Sequence, residues 1–361
     1  MPAPTHRRIG QLLIGSLPGL VVTPEWRALA REFEVGGVIL FGRNVESPGQ
    51  VADLAAELCA LAPAGSPPPW VSVDPEGGRV ARLRDPFTEW PPMAALGRSG
   101  DEALARRFGS ALAAELRSVG VTLDYAPVLD VHTNPDNPVI GDRSLAGDPA
   151  VVARLGGALI EALQEGGVAA CGKHFPGHGD TALDSHTALP VVEHGPDRLR
   201  RVEFVPFREA VRREAAFIMT AHVLVPALDE TRPATLSPAI VDGLLRRELG
   251  FGGAILSDDL EMRAIADGWP VPDAAVGAVA AGCDGLLVCS GSLDLQAATL
   301  EALVHGIEAG RIPGPRFDDA FGRLEAQKAR FLAGQPRAAP WVDVVGCEAH
   351  RRLADDMARF A

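Results

Sequence analysis

The sequence lacks the cysteine spacings that build disulfide frameworks or zinc sites. Its 361 residues include five cysteines, at positions 59, 171, 283, 289 and 347, an odd number with wide spacings. No two of them form a CxxC pair, so neither a disulfide framework nor a thiolate zinc site is indicated. The sequence therefore predicts buried free thiols in a reducing compartment.

A net positive charge and a long apolar segment are also missing. The formal net charge is −13, which argues against nucleic acid or an anionic membrane as the main partner. No uncharged stretch approaches membrane-spanning length, and the apolar run Ile9–Ile14 is too short for a signal peptide. We therefore expect a cytoplasmic protein with neither of these partners.

What the sequence does contain is a series of short apolar runs, each followed by Gly, Pro or polar residues. Such continuously apolar runs are typical of strands buried on both faces of a parallel sheet. Amphipathic segments separate them, for example Glu102–Val119, with Leu104, Phe108, Leu112 and Leu116 on one face. The eight predicted strands are Gln11–Ser16, Gly37–Phe41, Trp70–Asp74, Val121–Tyr125, Val168–Lys173, Ala216–Ala221, Gly253–Ser257 and Gly285–Cys289.

Eight strand–helix alternations predict an α/β fold, a (β/α)8 TIM-type barrel with a single catalytic domain. We assign residues 1–335 to the barrel and residues 336–361 to a linker and a C-terminal helix packed on it. The predicted helices are Pro48–Leu61, Glu102–Val119, Ala150–Glu165, Asp197–Glu214, Ser237–Leu249, Leu293–Ala309 and Cys347–Ala361, the last with Leu353, Met357 and Phe360 as its apolar face.

Titratable side chains are concentrated in the loop Cys171–Pro190. Its glycines and prolines exclude a regular helix or a central strand. His174 and His178 have the spacing of a helical zinc motif, but Pro176 and Gly177 forbid that helix, so no metal is predicted. Asp184 lies two residues from His186, where a carboxylate can orient an imidazole for acid–base work.

Further polar residues follow other predicted strands, and in a parallel barrel those strand ends share one face. Asp258 and Asp259 end the seventh strand, where one can act as a nucleophile while the other caps a helix. Asp74, Arg82 and Arg143 are of the types that bind sugar hydroxyls and amide oxygens. The nearby Glu76 is expected to hold a Gly-rich turn, which lacks the lysine of a phosphate loop.

Five segments together resemble glycoside hydrolase family 3, most closely its bacterial β-N-acetylglucosaminidase branch. They occur in the family's order and the resemblance covers roughly residues 8–335. The combination of KHFPGHGDT with a following DSH is highly specific, and DSH is generally absent from the β-glucosidase branch. The segments are Asp74–Arg82, Gly141–Arg143, Lys173–Thr181, Asp184–His186 and Ser257–Met262.

The resemblance implies a role for each matching residue. Asp258 would be the nucleophile, with Asp259 a lesser alternative, and His186 with Asp184 would be the acid/base. Asp74, Arg82, Arg143, Lys173 and His174 would hold the N-acetylglucosamine ring. No cofactor is implied, the partner is a small-molecule substrate, and a monomer is expected. His178, Asp180 and His222 receive no chemical role.

The implied activity is that of a retaining exo-β-N-acetylglucosaminidase acting through a covalent glycosyl-aspartate. The implied substrate is a peptidoglycan fragment, N-acetylglucosaminyl-anhydromuropeptide or similar, in cell-wall recycling. Alternatives are a β-N-acetylglucosaminide phosphorylase and a β-glucosidase of the same family. A non-catalytic sugar-binding barrel would need the loss of a catalytic residue, and none is lost here.

Overall fold

Eight parallel strands close into a barrel in the computed structural model, which describes residues 5–334 and 338–361. Each strand pairs with the next along the chain, and the last closes on the first through Leu13 and Leu286. The predicted (β/α)8 barrel is confirmed. The strands are β1 Leu13–Gly15, β2 Gly37–Leu40, β3 Trp70–Val73, β4 Leu123–Asp124, β5 Ala169–Phe175, β6 Phe217–Thr220, β7 Ala254–Asp259 and β8 Gly285–Leu287.

A short hairpin with a Gly-rich turn follows β3 at the C-terminal end of the barrel. Its strands, Pro75–Gly77 and Val80–Ala81, pair antiparallel outside the barrel. β5 and β7 run two residues beyond their predicted ends, so that polar residues of the mouth still belong to strands. Those residues are consequently held by the barrel's own hydrogen bonds.

Helices surround the barrel and begin with the capping residues that the sequence provides. Ser47 accepts a hydrogen bond from the backbone of Gln50, and Asp101 accepts two in the same way. The α-helices are Thr5–Gly10, Pro24–Phe33, Pro48–Cys59, Met93–Ser99, Glu102–Ser118, Pro149–Glu165, Pro196–Arg201, Phe204–Arg212, Arg263–Ala266, Val271–Ala281, Leu293–Glu308, Gly314–Phe331, Trp341–Val344 and Glu348–Ala358.

Two predicted helices differ in the structure. Asp197–Glu214 is broken into two helices at Val202 and Glu203. Pro206 explains the break, because it has no N–H for the Val202 carbonyl and its ring would clash with that group in a continuous helix. The predicted helix Ser237–Leu249 is present as a π-helix over Ala239–Glu248, with short 3-10 turns at Gly42–Asn44, Gly141–Arg143 and Ala234–Leu236 elsewhere.

The C-terminal helix Glu348–Ala358 packs against Met93–Ser99 and Glu102–Ser118. Leu353 and Met357 are buried as predicted, but Phe360 lies beyond the helix and is exposed. The proposed division at residue 335 stays a prediction, since residues 335–337 of the expected linker lie outside the described residues.

The cysteine side chains are less uniformly buried than the sequence predicts. All five cysteines are free, with Cys171, Cys283 and Cys289 buried and Cys59 and Cys347 partly exposed. The prediction of burial is therefore wrong for Cys59 and Cys347.

Within the described part of the chain, no helix combines the length and apolar character needed to cross a membrane.

Candidate active site

One pocket opens at the C-terminal mouth of the barrel, where strand ends converge. Seven of the eight predicted site residues line it directly, and the eighth, Asp184, contacts it through His186. The single face expected for the polar strand ends is therefore present. Its polar lining consists of Asp74, Arg82, Tyr125, Arg143, Lys173, His174, His178, Ser185, His186, Asp258 and Asp259.

Lys173 is the centre of a buried ion-pair cluster on one wall. Its Nζ lies 2.6 Å from Asp74 Oδ1 and 2.5 Å from Glu76 Oε1. Burial would lower the pKa of Lys173, but the two carboxylates outweigh it and raise that pKa above its ordinary value. Burial in turn raises the pKa of Asp74, an effect that Lys173 offsets only in part. The ammonium group is thus permanently charged.

Glu76 has a larger part in this cluster than the sequence suggested. Its carboxylate accepts from Arg143 Nε and Nη2, both at 2.7 Å, while also pairing with Lys173. Burial opposes ionisation of Glu76, yet the two cations lower its pKa well below the usual range. Glu76 therefore orients two of the three predicted sugar-binding cations, Lys173 and Arg143, beyond holding the Gly-rich turn.

Asp130, which sequence reasoning missed, orients His174. Its Oδ2 accepts from His174 Nδ1 at 2.6 Å, and its Oδ1 accepts from the backbone N–H of His178 at 2.6 Å. This contact fixes the proton on Nδ1 and leaves Nε2 of His174 for the pocket. An acidic residue shortly after the fourth strand was the available signal. β4 itself ends at Asp124, but the isolated Val128–Lys173 bridge still pairs the segment before Asp130 with β5.

The loop after β5 requires glycine at two positions, one because of its backbone conformation and one because of a close approach to the segment containing Val131. Gly177 has φ +129°, in the region that side chains disfavour. A Cβ on Gly179 would lie 2.0 Å from the carbonyl oxygen of Val131. The Gly content of this loop therefore permits close packing of its first half.

Arg82, which lines the pocket, has a side-chain donor without a partner. Its Nε is buried and has no hydrogen-bond partner among the described residues, and its guanidinium lies 5.6 Å from the ring centre of Phe41. A buried N–H without a partner is costly, so a ligand oxygen at this position would gain a hydrogen bond at little desolvation cost.

Asp258 and Asp259 have different surroundings at the end of β7. Burial would raise the pKa of Asp258, but His222, His174 and the backbone N–H of Asp259 outweigh it, so the pKa lies below its ordinary value. Burial, reinforced by Glu261 and Asp258, raises the pKa of Asp259 to about 7. The Asp259 carboxylate also accepts from the backbone N–H of Glu261. Asp258 is thus the ionised carboxylate of the pair.

Asp184 and His186 form a contact on the outer half of the loop. Asp184 Oδ1 accepts from His186 Nδ1 at 2.8 Å and from the His186 backbone N–H at 2.8 Å. The imidazole is 65% exposed, although it lines the pocket. Because Nδ1 donates to the carboxylate, Nε2 is the atom available for proton transfer.

The three residues without an assigned role all have structural contacts. Asp180 accepts from Thr133 Oγ1 and pairs with His194, which fixes the middle of the loop. His222 is fully buried and donates from Nε2 to the Asp259 carbonyl, beside the candidate nucleophile. His178 contacts Thr181 within the same loop through its Nδ1 atom.

Within residues 5–334 and 338–361, no group of three or more His, Cys, Asp or Glu side chains is arranged to hold a metal ion.

Comparison with known sequences places this pocket in a family. The family model described as Glycosyl hydrolase family 3 N terminal domain matches residues 5–326. A β-hexosaminidase of Thiobacillus denitrificans is 45% identical over 262 residues, covering 71% of this chain and 72% of that protein. β-Hexosaminidase A of Pseudoalteromonas piscicida is 34% identical over 94% of this chain, which spans only 60% of that longer protein.

Solved structures give the same result. A glycoside hydrolase family 3 β-N-acetylglucosaminidase from Paenibacillus sp. superposes with a TM-score of 0.94 at 43% identity, covering 99% of this chain and 68% of that one. NagZ from Neisseria gonorrhoeae, solved with N-trifluoroacetyl-D-glucosamine, gives a TM-score of 0.82 at 33% identity, covering 97% and 98% of the two chains.

Proposed function

The chain belongs to glycoside hydrolase family 3, and on that premise we propose that it is a retaining exo-β-N-acetylglucosaminidase. The observation that carries the proposal is the meeting, in one pocket, of an ionised carboxylate and a carboxylate-oriented imidazole. These are Asp258 and His186, the latter held by Asp184. A retaining glycosidase needs a nucleophile and an acid/base on opposite sides of the scissile bond.

The proposed reaction proceeds in two displacements. Asp258 attacks the anomeric carbon and forms an ester to the sugar, while protonated His186 gives its Nε2 proton to the leaving oxygen. The neutral imidazole then takes a proton from water, whose oxygen displaces the Asp258 carboxylate. Each cycle consumes one water molecule and returns both residues to their starting states.

Sugar recognition is assigned to the pocket wall that contains the Lys173 ion-pair cluster. Lys173 and Asp74 offer a donor and an acceptor to ring hydroxyls, as do Arg143 and His174. The unpartnered Nε of Arg82 suits an acceptor oxygen such as an N-acetyl carbonyl or a hydroxyl. The glucosamine derivative bound by the Neisseria relative supports an N-acetylglucosaminyl group as the sugar.

The natural substrate proposed is a peptidoglycan fragment, N-acetylglucosamine on an anhydromuramoyl peptide, processed in the cytoplasm during cell-wall recycling. The support is the resemblance to the NagZ type. A working monomer is proposed as well. Hydrolysis of such a fragment, and light scattering after size exclusion, would test these two points.

The nucleophile is tested by trapping. Incubation with 5-fluoro-N-acetylglucosaminyl fluoride should add one glycosyl group to the intact protein, and peptide mapping should place it on Asp258. Asp258→Asn should take up no label and lose at least about 1,000-fold in kcat. Asp259→Asn is the matched control and should still be labelled. Label on Asp259, or no label on the wild type, would refute the assignment.

Specificity is tested with paired substrates. The 4-nitrophenyl β-N-acetylglucosaminide should be hydrolysed with initial release of the β-anomer, and the corresponding β-glucoside far more slowly. Comparable rates on both would contradict the branch assignment. N-Acetylglucosamine 1-phosphate as the main product in phosphate buffer would identify a phosphorylase instead.

A further inference from the structure

We propose that the buried hydrogen bond between His178 and Ser185 positions His186 for proton transfer. His178 Nε2 lies 3.0 Å from Ser185 Oγ, and each residue is only 2% exposed. Ser185 stands between Asp184 and His186 in the chain. This inference rests on the proposed function, in which His186 is the acid/base, and it assigns His178 a positioning role.

The His178 end of the contact is fixed in the floor of the loop. Its backbone N–H donates to Asp130, the carboxylate that also orients His174. Its Nδ1 lies 2.6 Å from Thr181 Oγ1, and its carbonyl accepts from Asn137 Nδ2 at 2.8 Å. His178 is therefore held in place through both its backbone and its side chain.

The Ser185 end is attached a second time, to the segment that follows the nucleophile strand. Its carbonyl oxygen accepts from the backbone N–H of Ala264 at 3.1 Å. Ser185 is thus held both by the β5 floor and by the loop after Asp258. Among the residues that the structure describes, only Asp184 holds the exposed side chain of His186. Ser185 therefore sets where His186 stands relative to the sugar and to the nucleophile.

His178 is suited to hold a neighbour and unsuited to donate a proton itself. Burial lowers its pKa to about 4, so its imidazole is neutral at ordinary pH. A neutral ring with both nitrogens engaged has no spare proton for a leaving group. Its influence on the reaction has to pass through Ser185.

The test uses leaving groups that differ in their need for an acid. Ser185→Ala and His178→Leu should each lower kcat/KM for methyl β-N-acetylglucosaminide about 5- to 10-fold, the scale of one lost neutral hydrogen bond. The 2,4-dinitrophenyl glycoside departs without a proton, so its kcat/KM should stay within about twofold. The double variant should lose no more than either single variant, because both remove the same contact.

The second displacement of the proposed reaction, hydrolysis of the glycosyl-enzyme, supplies an independent readout. Azide attacks the glycosyl-enzyme without base help, so it should raise kcat of Ser185→Ala on the dinitrophenyl substrate more than that of the wild type. His178→Gln, which keeps a side-chain hydrogen-bonding group, should recover part of the loss and serves if His178→Leu fails to fold. The Ki of N-acetylglucosamine should not change.

Two controls separate the possible failures. Thr299→Ala removes a buried hydroxyl whose bond to the Leu295 carbonyl lies within an outer helix, and it should leave both substrates unaffected. His186→Ala should show the full leaving-group dependence and azide rescue. If it does not, the proposed function fails. Suppose instead that His186→Ala behaves as expected. The positioning role is then refuted if Ser185→Ala loses kcat/KM equally on both substrates, if it loses none, or if its loss multiplies with that of His178→Leu in the double variant.

Discussion

Asp124 is a buried carboxyl group that the proposed reaction does not use. Both of its side-chain oxygens are buried and have no hydrogen-bond partner among the described residues. Burial, with Asp74 adding to it, raises the pKa of Asp124 well above the ordinary value. Burial therefore favours the protonated form of this carboxyl group in the folded protein.

We expect Asp124→Asn to stabilise the protein increasingly as pH rises. An unfolded aspartate loses its proton near pH 4, whereas the folded one keeps it up to its raised pKa, so wild-type stability falls between these two pKa values. The amide has no such penalty, and the gap should grow by at most about 1.4 kcal/mol per pH unit. Melting temperatures from about pH 2 to about pH 8.5 measure it.

Asp130→Asn is the opposite control for this experiment. Burial opposes its charge, but His174 and the backbone of His178 lower the pKa of Asp130. Its contribution to stability is present above pH 4 and is lost as pH falls through the lowered value. A constant gap between Asp124→Asn and the wild type across the range would show that Asp124 is ionised.

Glu76, unlike Asp124, is a residue whose removal has a definite expected cost. Glu76→Gln leaves Lys173 and Arg143 facing each other with Asp74 as the remaining carboxylate. Breaking a buried pair costs about 3–5 kcal/mol of unfolding free energy, and the disordered cations should also raise KM. Urea unfolding and KM for the nitrophenyl substrate measure both. The exposed Glu301→Gln is the matched control, and equal effects in the two would contradict the cluster's role.

At the level of elements, the barrel strands could be predicted because each is a short apolar run ending in polar residues. The apolar run Gly253–Ser257 predicted both the buried strand β7 and the position of Asp258 at its end. The contacts of Glu76 and Asp130 could not be predicted, because each depends on partners from distant elements. Arg143, for example, reaches Glu76 across 67 positions of the chain. The break in Asp197–Glu214 could have been read from Pro206.

The loop after β5 should loosen when Asp130 is changed. Asp130→Asn weakens the charged hydrogen bonds that hold His174 and the backbone of His178, which are worth about 1.5–3 kcal/mol each. Amide hydrogen exchange in residues 174–181 should become faster by at least about tenfold, while exchange in β1 and β2 is unchanged. Uniform acceleration throughout the barrel would point to global destabilisation instead.

At the scale of the molecule, the C-terminal helix stabilises the fold from a position away from the pocket. The C-terminal helix is fixed at Glu115, whose carboxylate accepts from His350 Nδ1 at 2.8 Å and from Gly346 N at 3.1 Å. These contacts were beyond sequence reasoning, which predicted packing on the barrel without a location. Met357, fully buried, anchors the same helix.

Met357→Ala should lower stability and leave catalysis intact. The cavity should cost about 2–5 kcal/mol of unfolding free energy. Neither Met357 nor its helix lines the pocket, so kcat and KM should match the wild type below the melting transition. Denaturant unfolding and initial rates at 25 °C measure the two. A matched fall in kcat would mean that the helix shapes the active site.

The ion-pair cluster around Lys173 has a consequence for how the pocket meets its ligand. Asp74 and Glu76 balance Lys173 and Arg143, so this cluster carries no formal net charge within a protein of net charge −13. Dissolved ions screen interactions between separated charges and hardly affect short hydrogen bonds to an uncharged sugar. Affinity for the sugar is therefore set by directional hydrogen bonds and is insulated from the ionic strength of the surroundings.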